Sequence, residues 1–210
     1  MTESSLVRKI FHPNRISAYG GLSSVAGVAL LTNTSTMPYG AALVVAGYAC
    51  DYIDGKIARN YDMKTLEGAK LDPLLDKVRN VFVGGYVSIN EIIRGGFLLP
   101  VTMAGNFLVD YISQKDRGDI IEQVEDSCKA VLNIESCHKD AEINSKIRAN
   151  GFGKAKATIQ TGVNLIYIGA ELIKEHTGNI DFDYISPFLS GALIVSAGLG
   201  IKGIFERRKS

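Results

Sequence analysis

ISAYGGLSSVAGVALLTNTSTMPYGAALVVAGYACDYID occupies residues 16–54, and its reading decides the fold. From Ile16 to Cys50 it holds no Asp, Glu, Lys or Arg; Asp51 and Asp54 then follow at once. A bilayer core of ~30 Å takes about 20 helical residues. These 35 uncharged residues suffice for two crossings only if charged or polar flanks complete the second. Their middle, TNTSTMPYG (residues 32–40), is polar and then carries Pro and Gly, a turn signal. The stretch therefore predicts one helix over about 16–33 and a second over about 38–59, with both aspartates near the end of the second.

The rest of the chain repeats the pattern. Gly95–Val109, Ala157–Ala170 and Tyr184–Ile201 are also free of charged residues. Further helices are expected at about 71–92, 95–114, 153–174 and 183–204. Gly, Ala and Ser are frequent in them, as where membrane helices pack closely. The expected fold is all-α, an integral membrane bundle of about six transmembrane helices forming a single domain over residues 1–210. The averages point the other way, to a soluble helical bundle: the hydrophobic fraction is 46% and mean hydropathy is only slightly positive. A net charge of +1 gives no global field toward nucleic acid, and no nucleic-acid partner is expected.

The start, MTESSLVRKIFHPNRIS, is polar and basic, without the apolar core and cleavage site of a secretory signal. Three basic groups fall on one side of a six-helix bundle: Arg8, Lys9 and Arg15; the run from Lys56 to Arg79; and Arg207, Arg208 and Lys209 after the last helix. The positive-inside rule makes that side cytoplasmic. Residues 113–150 read as a cytosolic insert. There Ile120, Ile121, Val124, Cys128, Val131 and Leu132 recur at helical spacing among acids, as in an amphipathic helix lying on the molecule or on lipid. Cys50, Cys128 and Cys137 form no even framework and are expected to be reduced thiols. Cys128, Cys137 and His138 lack the fourth ligand and the spacing of a zinc site.

The acids carry the chemistry. Asp51 and Asp54 are three apart, Asp72 and Asp76 four apart, so each pair shares a helix face. On antiparallel helices the two pairs face each other near the cytoplasmic end. Four carboxylates so close do not all stay ionised without cations between them. Oxygen ligands without His or Cys favour two hard ions, Mg2+ or Mn2+. Gly55, Ala58 and Gly68 let a bulky ligand approach the backbone, and Arg59 is a planar fork suited to a diphosphate. Together these describe a two-metal phosphoryl-transfer site at a membrane surface. Against it stand plainer readings. The acids are then a solvated helix end, with Asp72-Pro73 an N-cap and first-turn proline, and Lys56, Lys70 and Lys77 neutralise them.

The stretch resembles the signature D-x2-D-G-x2-A-R-x8-G-x3-D-x3-D of the CDP-alcohol phosphatidyltransferase family. Asp51, Asp54, Gly55, Ala58, Arg59, Gly68, Asp72 and Asp76 match every fixed position and spacing. HPNRIS (12–17) is similar to the family's approach to its first helix, and GKAKATIQ (153–160) to the start of its fifth. The resemblance implies a six-helix membrane enzyme, a homodimer, with its active site open to the cytosolic leaflet of the plasma membrane, or of the inner membrane in a bacterial cell. CMP would be displaced from CDP-diacylglycerol by a small alcohol. By position, Asp51, Asp54, Asp72 and Asp76 would hold two divalent ions. Asp76 would also be the general base, and Gly55, Ala58, Arg59 and Gly68 would form the CDP pocket.

LDPLLDK (71–77) and GKAKATIQ look most like the phosphatidylglycerophosphate synthase branch, whose acceptor is glycerol 3-phosphate. The fourth helix departs from it, carrying Asn106 and Asp110 where the branch has an Arg-Glu pair. Two readings stand for Lys154 and Lys156: cations for an anionic acceptor, or anchors to lipid headgroups. Inositol phosphate, serine and phosphatidylglycerol are the alternative acceptors. Outside this chemistry stand a divalent-cation transporter using the acids as an ion path and a catalytically inactive assembly subunit.

Overall fold

The computed structural model describes residues 13–60, 66–132 and 151–209, with side chains at 16–54, 56–57, 75–116 and 151–208. Six helices make up all regular structure among the described residues: α1 (Pro13–Leu31), α2 (Met37–Asn60), α3 (Leu66–Ile93), α4 (Leu98–Leu132), α5 (Gly151–Thr177) and α6 (Phe182–Lys209). Pro13 opens α1, where a missing N–H costs nothing. In the α1–α2 turn the Thr36 hydroxyl donates to the Leu30 carbonyl at 2.7 Å. Before α6 the Asp181 carboxylate accepts the Asp183 N–H at 2.9 Å, an N-cap.

The six predicted helices are present, with three corrections. First, α4 does not end near 114 but continues unbroken to Leu132. The loss of hydropathy after Ile112 was read as a boundary. Residues 113–132 contain no Pro and many good helix formers, so nothing there stops propagation. The positions from Ile120 to Leu132 therefore continue α4 rather than forming a separate helix; residues 133–150, with Cys137 and His138, lie outside the described residues. Second, α3 begins at Leu66, so Asp72-Pro73 lies inside the helix and is not its N-terminal cap. Third, Arg207 and Arg208 belong to α6 rather than following it.

α1 and α2 make the most extensive helix pair, because small residues let their backbones meet. A Cβ at Gly27 would stand 2.7 Å from the Gly40 carbonyl oxygen, and one at Gly40 2.7 Å from that of Gly27. Side chains of any size would force the helices apart. The apolar core lies at mid-height, where Val44, Val83, Val87, Met103, Tyr167 and Leu193 are fully buried.

Among the described residues one helix, Phe182–Arg208, is long and apolar enough by itself to cross a membrane. The other helices carry charged or polar groups that lower their hydropathy, but many of these groups turn inward. Asp54, Arg79, Glu91, Asp116, Lys156, Glu171 and Arg207 are buried, as are Asn106 and Asn164. Tyr19, Leu22, Tyr39, Ile89, Val101, Phe188 and Ile194 face outward and are exposed. A molecule folded in water shows the opposite preference for its charges.

Candidate active site

The alternation of helix direction brings the end of α2, the start of α3, the second half of α4, the start of α5 and the end of α6 to one end of the bundle. Asp54, near the end of α2, is buried and accepts a short hydrogen bond from the Ser17 hydroxyl of α1. Asp51, three residues earlier, is half-exposed. Asp76 on α3 is paired with Arg79 one turn further along the same helix.

Arg79 is the cation at this acidic cluster. Its guanidinium bonds Asp76, stands 3.6 Å from Asp51 Oδ2, and donates to the Gly47 carbonyl at 3.2 Å. It also lies 4.3 Å over the Tyr48 ring, a cation–π contact. Tyr48 is fixed in turn: its hydroxyl donates to Asn80 Oδ1 at 3.0 Å and accepts from Asn164 Nδ2 at 3.1 Å. The sequence reading counted Arg79 only among the basic residues of the cytoplasmic side. Its i,i+3 spacing from Asp76 was the available signal. Of the lysines weighed as neutralisers, Lys77 turns to α4, donating to the Asp110 carbonyl at 2.6 Å and to Gln114 Oε1 at 3.2 Å.

Lys154 and Lys156 occupy different places. Lys154 is exposed, whereas Lys156 is buried at 5% exposure. Its ammonium lies 2.8 Å from Asp110 Oδ1 and donates to Gln160 Oε1 at 3.1 Å. Burial this deep does not suit a headgroup anchor. Room for its stem comes from Gly200 of α6, where an added Cβ would stand 2.7 Å from Lys156 Cδ and 2.6 Å from Val109 Cγ1. Arg207, also on α6, bonds Asp116 Oδ2 and the Ser113 carbonyl, each at 3.4 Å, while Arg208 Nε donates to Asp116 Oδ1 at 2.7 Å.

Between these groups opens a cleft of about 360 Å³, lined among others by Asp51, Asp76, Lys77, Lys154, Lys156 and Arg207. Its lining mixes carboxylates (Asp51, Asp76, Asp110) with cations, and Asp110 is paired with Lys156. Sequence named Lys77 as a neutraliser, Asp110 as a departure from the branch and Arg207 as part of a basic group, but assigned none of them, nor Gln160, to a site, because their grouping depends on how α3 to α6 assemble. A larger cleft, about 770 Å³, opens at the opposite end of the bundle beside Glu91 and Arg94. Arg94 there bonds Glu171 at 2.6 Å and Tyr167 at 2.9 Å, and among the described residues none of the acidic motif lines it.

The donors suit a hard divalent ion. Asp51 and Asp76 already converge on one positive charge, and the described acids offer oxygen alone. Among the described residues no group of three or more His, Cys, Asp or Glu closes on one point. The Asp72 side chain lies outside them, as do those of Gly55, Ala58, Arg59 and Gly68, whose backbones belong to α2 and α3.

No solved structure matches the chain. A family model does, that of CDP-alcohol phosphatidyltransferase, over residues 10–198, most of the chain and including the whole acidic motif of residues 51–76. The chain therefore belongs to the CDP-alcohol phosphatidyltransferase family, membrane-embedded transferases of substituted phosphate groups that serve phospholipid synthesis.

Proposed function

We propose that this chain transfers the phosphatidyl group of CDP-diacylglycerol to a hydroxyl of glycerol 3-phosphate, with release of CMP, at the cytoplasmic face of a membrane. One observation carries the reading: Asp51 and Asp76 share a single cleft with Lys77, Lys154, Lys156 and Arg207. A diphosphate donor calls for the carboxylates, through divalent ions, and an anionic acceptor calls for the cations of the same cleft. Serine would bring an ammonium group, and Asp110, its natural partner in the cleft, is engaged by Lys156. Between the anionic acceptors, the likeness of residues 71–77 and 153–160 to the phosphatidylglycerophosphate synthase branch favours glycerol 3-phosphate.

The reaction is an in-line displacement. The acceptor oxygen bonds to the phosphorus that carries diacylglycerol, the bond from that phosphorus to the CMP oxygen breaks, and Asp76 takes the hydroxyl proton. Asp51, Asp54, Asp72 and Asp76 are assigned to hold two divalent ions, Mg2+ or Mn2+, which would neutralise the diphosphate oxygens. Arg59, with Gly55, Ala58 and Gly68, is assigned to the CDP moiety. Lys156, held in place by Gln160 and Gly200, presents its charge to the acceptor phosphate.

The inward charges and outward apolar side chains support a lipid environment for the bundle, although among the described residues one helix alone is both long and apolar enough to mark it. Against an ion path, the fully buried Val44, Val83, Val87 and Met103 separate the acidic cleft from the buried Glu91 and Glu171.

The test uses the protein purified in detergent, CDP-diacylglycerol and Mg2+. Glycerol 3-phosphate, inositol phosphate, serine and phosphatidylglycerol are offered in turn while CMP is measured. CMP is expected fastest with glycerol 3-phosphate, and its absence with every acceptor overturns the reading. A companion prediction concerns Gly200→Ala. The new methyl collides with the Lys156 stem and Val109, an overpacking that costs about 1–3 kcal/mol. The melting temperature should fall, and the KM for glycerol 3-phosphate should rise severalfold. Unchanged values of both would show that Lys156 does not depend on this gap.

A further inference from the structure

We propose that Arg79 is a built-in counter-cation that occupies the metal-binding position of Asp76 when no metal is bound and must be displaced when a divalent ion enters. This rests on the assignment of Asp51 and Asp76 to metal ions. Arg79 is outside the eight fixed positions of the acidic motif, yet it is buried at 3% exposure and stands between two of that motif's carboxylates. A buried charge persists only when paired, and two neighbouring carboxylates favour a cation between them. Arg79 supplies that cation permanently, because its guanidinium does not deprotonate.

The geometry also provides for its movement. The Gly47 carbonyl and the Tyr48 ring hold the guanidinium independently of Asp76, and both belong to the turn of α2 just before Asp51. Tyr48 is itself fixed by Asn80 and Asn164. When ions take the Asp76 and Asp51 oxygens, the guanidinium keeps Gly47 and Tyr48 and gives up the two carboxylates. Its Nε is buried and unpartnered in the present seat, so a second seat sacrifices no bond at that atom.

The consequence is competition. A ligand whose binding form is only a fraction of the population binds more weakly by that fraction. If Arg79 occupies Asp76 in nine of ten molecules, metal affinity is lowered about tenfold. The same contact keeps the carboxylates together in the metal-free protein, so removal of Arg79 trades stability without metal for affinity toward it.

The experiment titrates the purified protein with Mn2+, reading free ion by its electron paramagnetic resonance signal, for wild type, Arg79→Met and Arg79→Lys. Melting temperatures are recorded in EDTA. Arg79→Met is expected to bind Mn2+ about tenfold more tightly and to melt lower in EDTA. Lys keeps the charge but not the fork that reaches Asp51, Asp76 and Gly47 together, so Arg79→Lys should bind more tightly than wild type, by less. Wild-type binding with no gain in Arg79→Met overturns the proposal and leaves the metal assignment standing. A gain in Arg79→Met with none in Arg79→Lys makes the effect one of background charge and also overturns it. If Arg79→Met is unfolded by circular dichroism in EDTA, Arg79→Lys decides alone by the same criterion. Mn2+ binding by none of the three proteins removes the metal assignment, and this proposal with it.

Discussion

Asp76→Asn is expected to lower CMP release by a hundredfold or more while leaving the protein folded. The substitution is nearly isosteric, and the amide oxygen still accepts a hydrogen bond from Arg79, so the α3–α2 contact through Gly47 and Tyr48 survives. What disappears is the negative charge and the basic oxygen. Loss of a positioned general base costs typically ~10²–10⁴ in rate, and a weakened metal site adds to it. The effect should fall on kcat rather than on the KM for CDP-diacylglycerol, because proton transfer belongs to the transition state. Saturation curves against the CDP-lipid, with the melting temperature as a control, make the measurement. Near wild-type turnover would remove Asp76 from catalysis. A rise in KM with kcat retained would make it a binding residue instead.

Much of the architecture was legible because charge in this chain is segregated. The uncharged run from Ile16 to Cys50, interrupted by a polar stretch, reads as two helices, although the break is confined to residues 32–36 and Pro38 and Gly40 already belong to α2. The aspartates were legible because their spacing puts each pair on one helix face. Hydropathy was a poor guide where the sequence turns polar without the helix ending, as in α4 beyond residue 114. It also failed for charges that fold inward. Arg79, Lys156 and Arg207 look in sequence like members of a cytoplasmic basic belt, but each is buried against a carboxylate. No local pattern reveals Asp110 as the partner of Lys156, since the two are brought together only by the packing of α4, α5 and α6. Ser17, bonded to Asp54 across the α1–α2 contact, was hidden for the same reason.

Lys156→Ala is expected to raise the KM for glycerol 3-phosphate by about tenfold to a hundredfold, corresponding to ~1–3 kcal/mol for a lost charged hydrogen bond. The KM for CDP-diacylglycerol should change little. Lys154→Ala should have the smaller effect, because Lys154 is exposed and its charge is screened by water, whereas Lys156 is buried at the cleft wall. Saturation curves for both substrates test this. A purely structural role predicts something else. Lys156 lies 2.8 Å from Asp110 Oδ1, so its removal leaves a carboxylate without its ion-pair partner. The double variant Lys156→Ala with Asp110→Asn separates the two roles. If Lys156 serves only to neutralise Asp110, removing both charges restores the KM for glycerol 3-phosphate. If Lys156 holds the acceptor phosphate, the double variant recovers thermal stability and keeps the raised KM, because the phosphate still lacks its cation. Recovery of both would take Lys156 out of the acceptor site and leave Lys77, Lys154 and Arg207, the other cations lining the cleft, to account for any preference for an anionic alcohol.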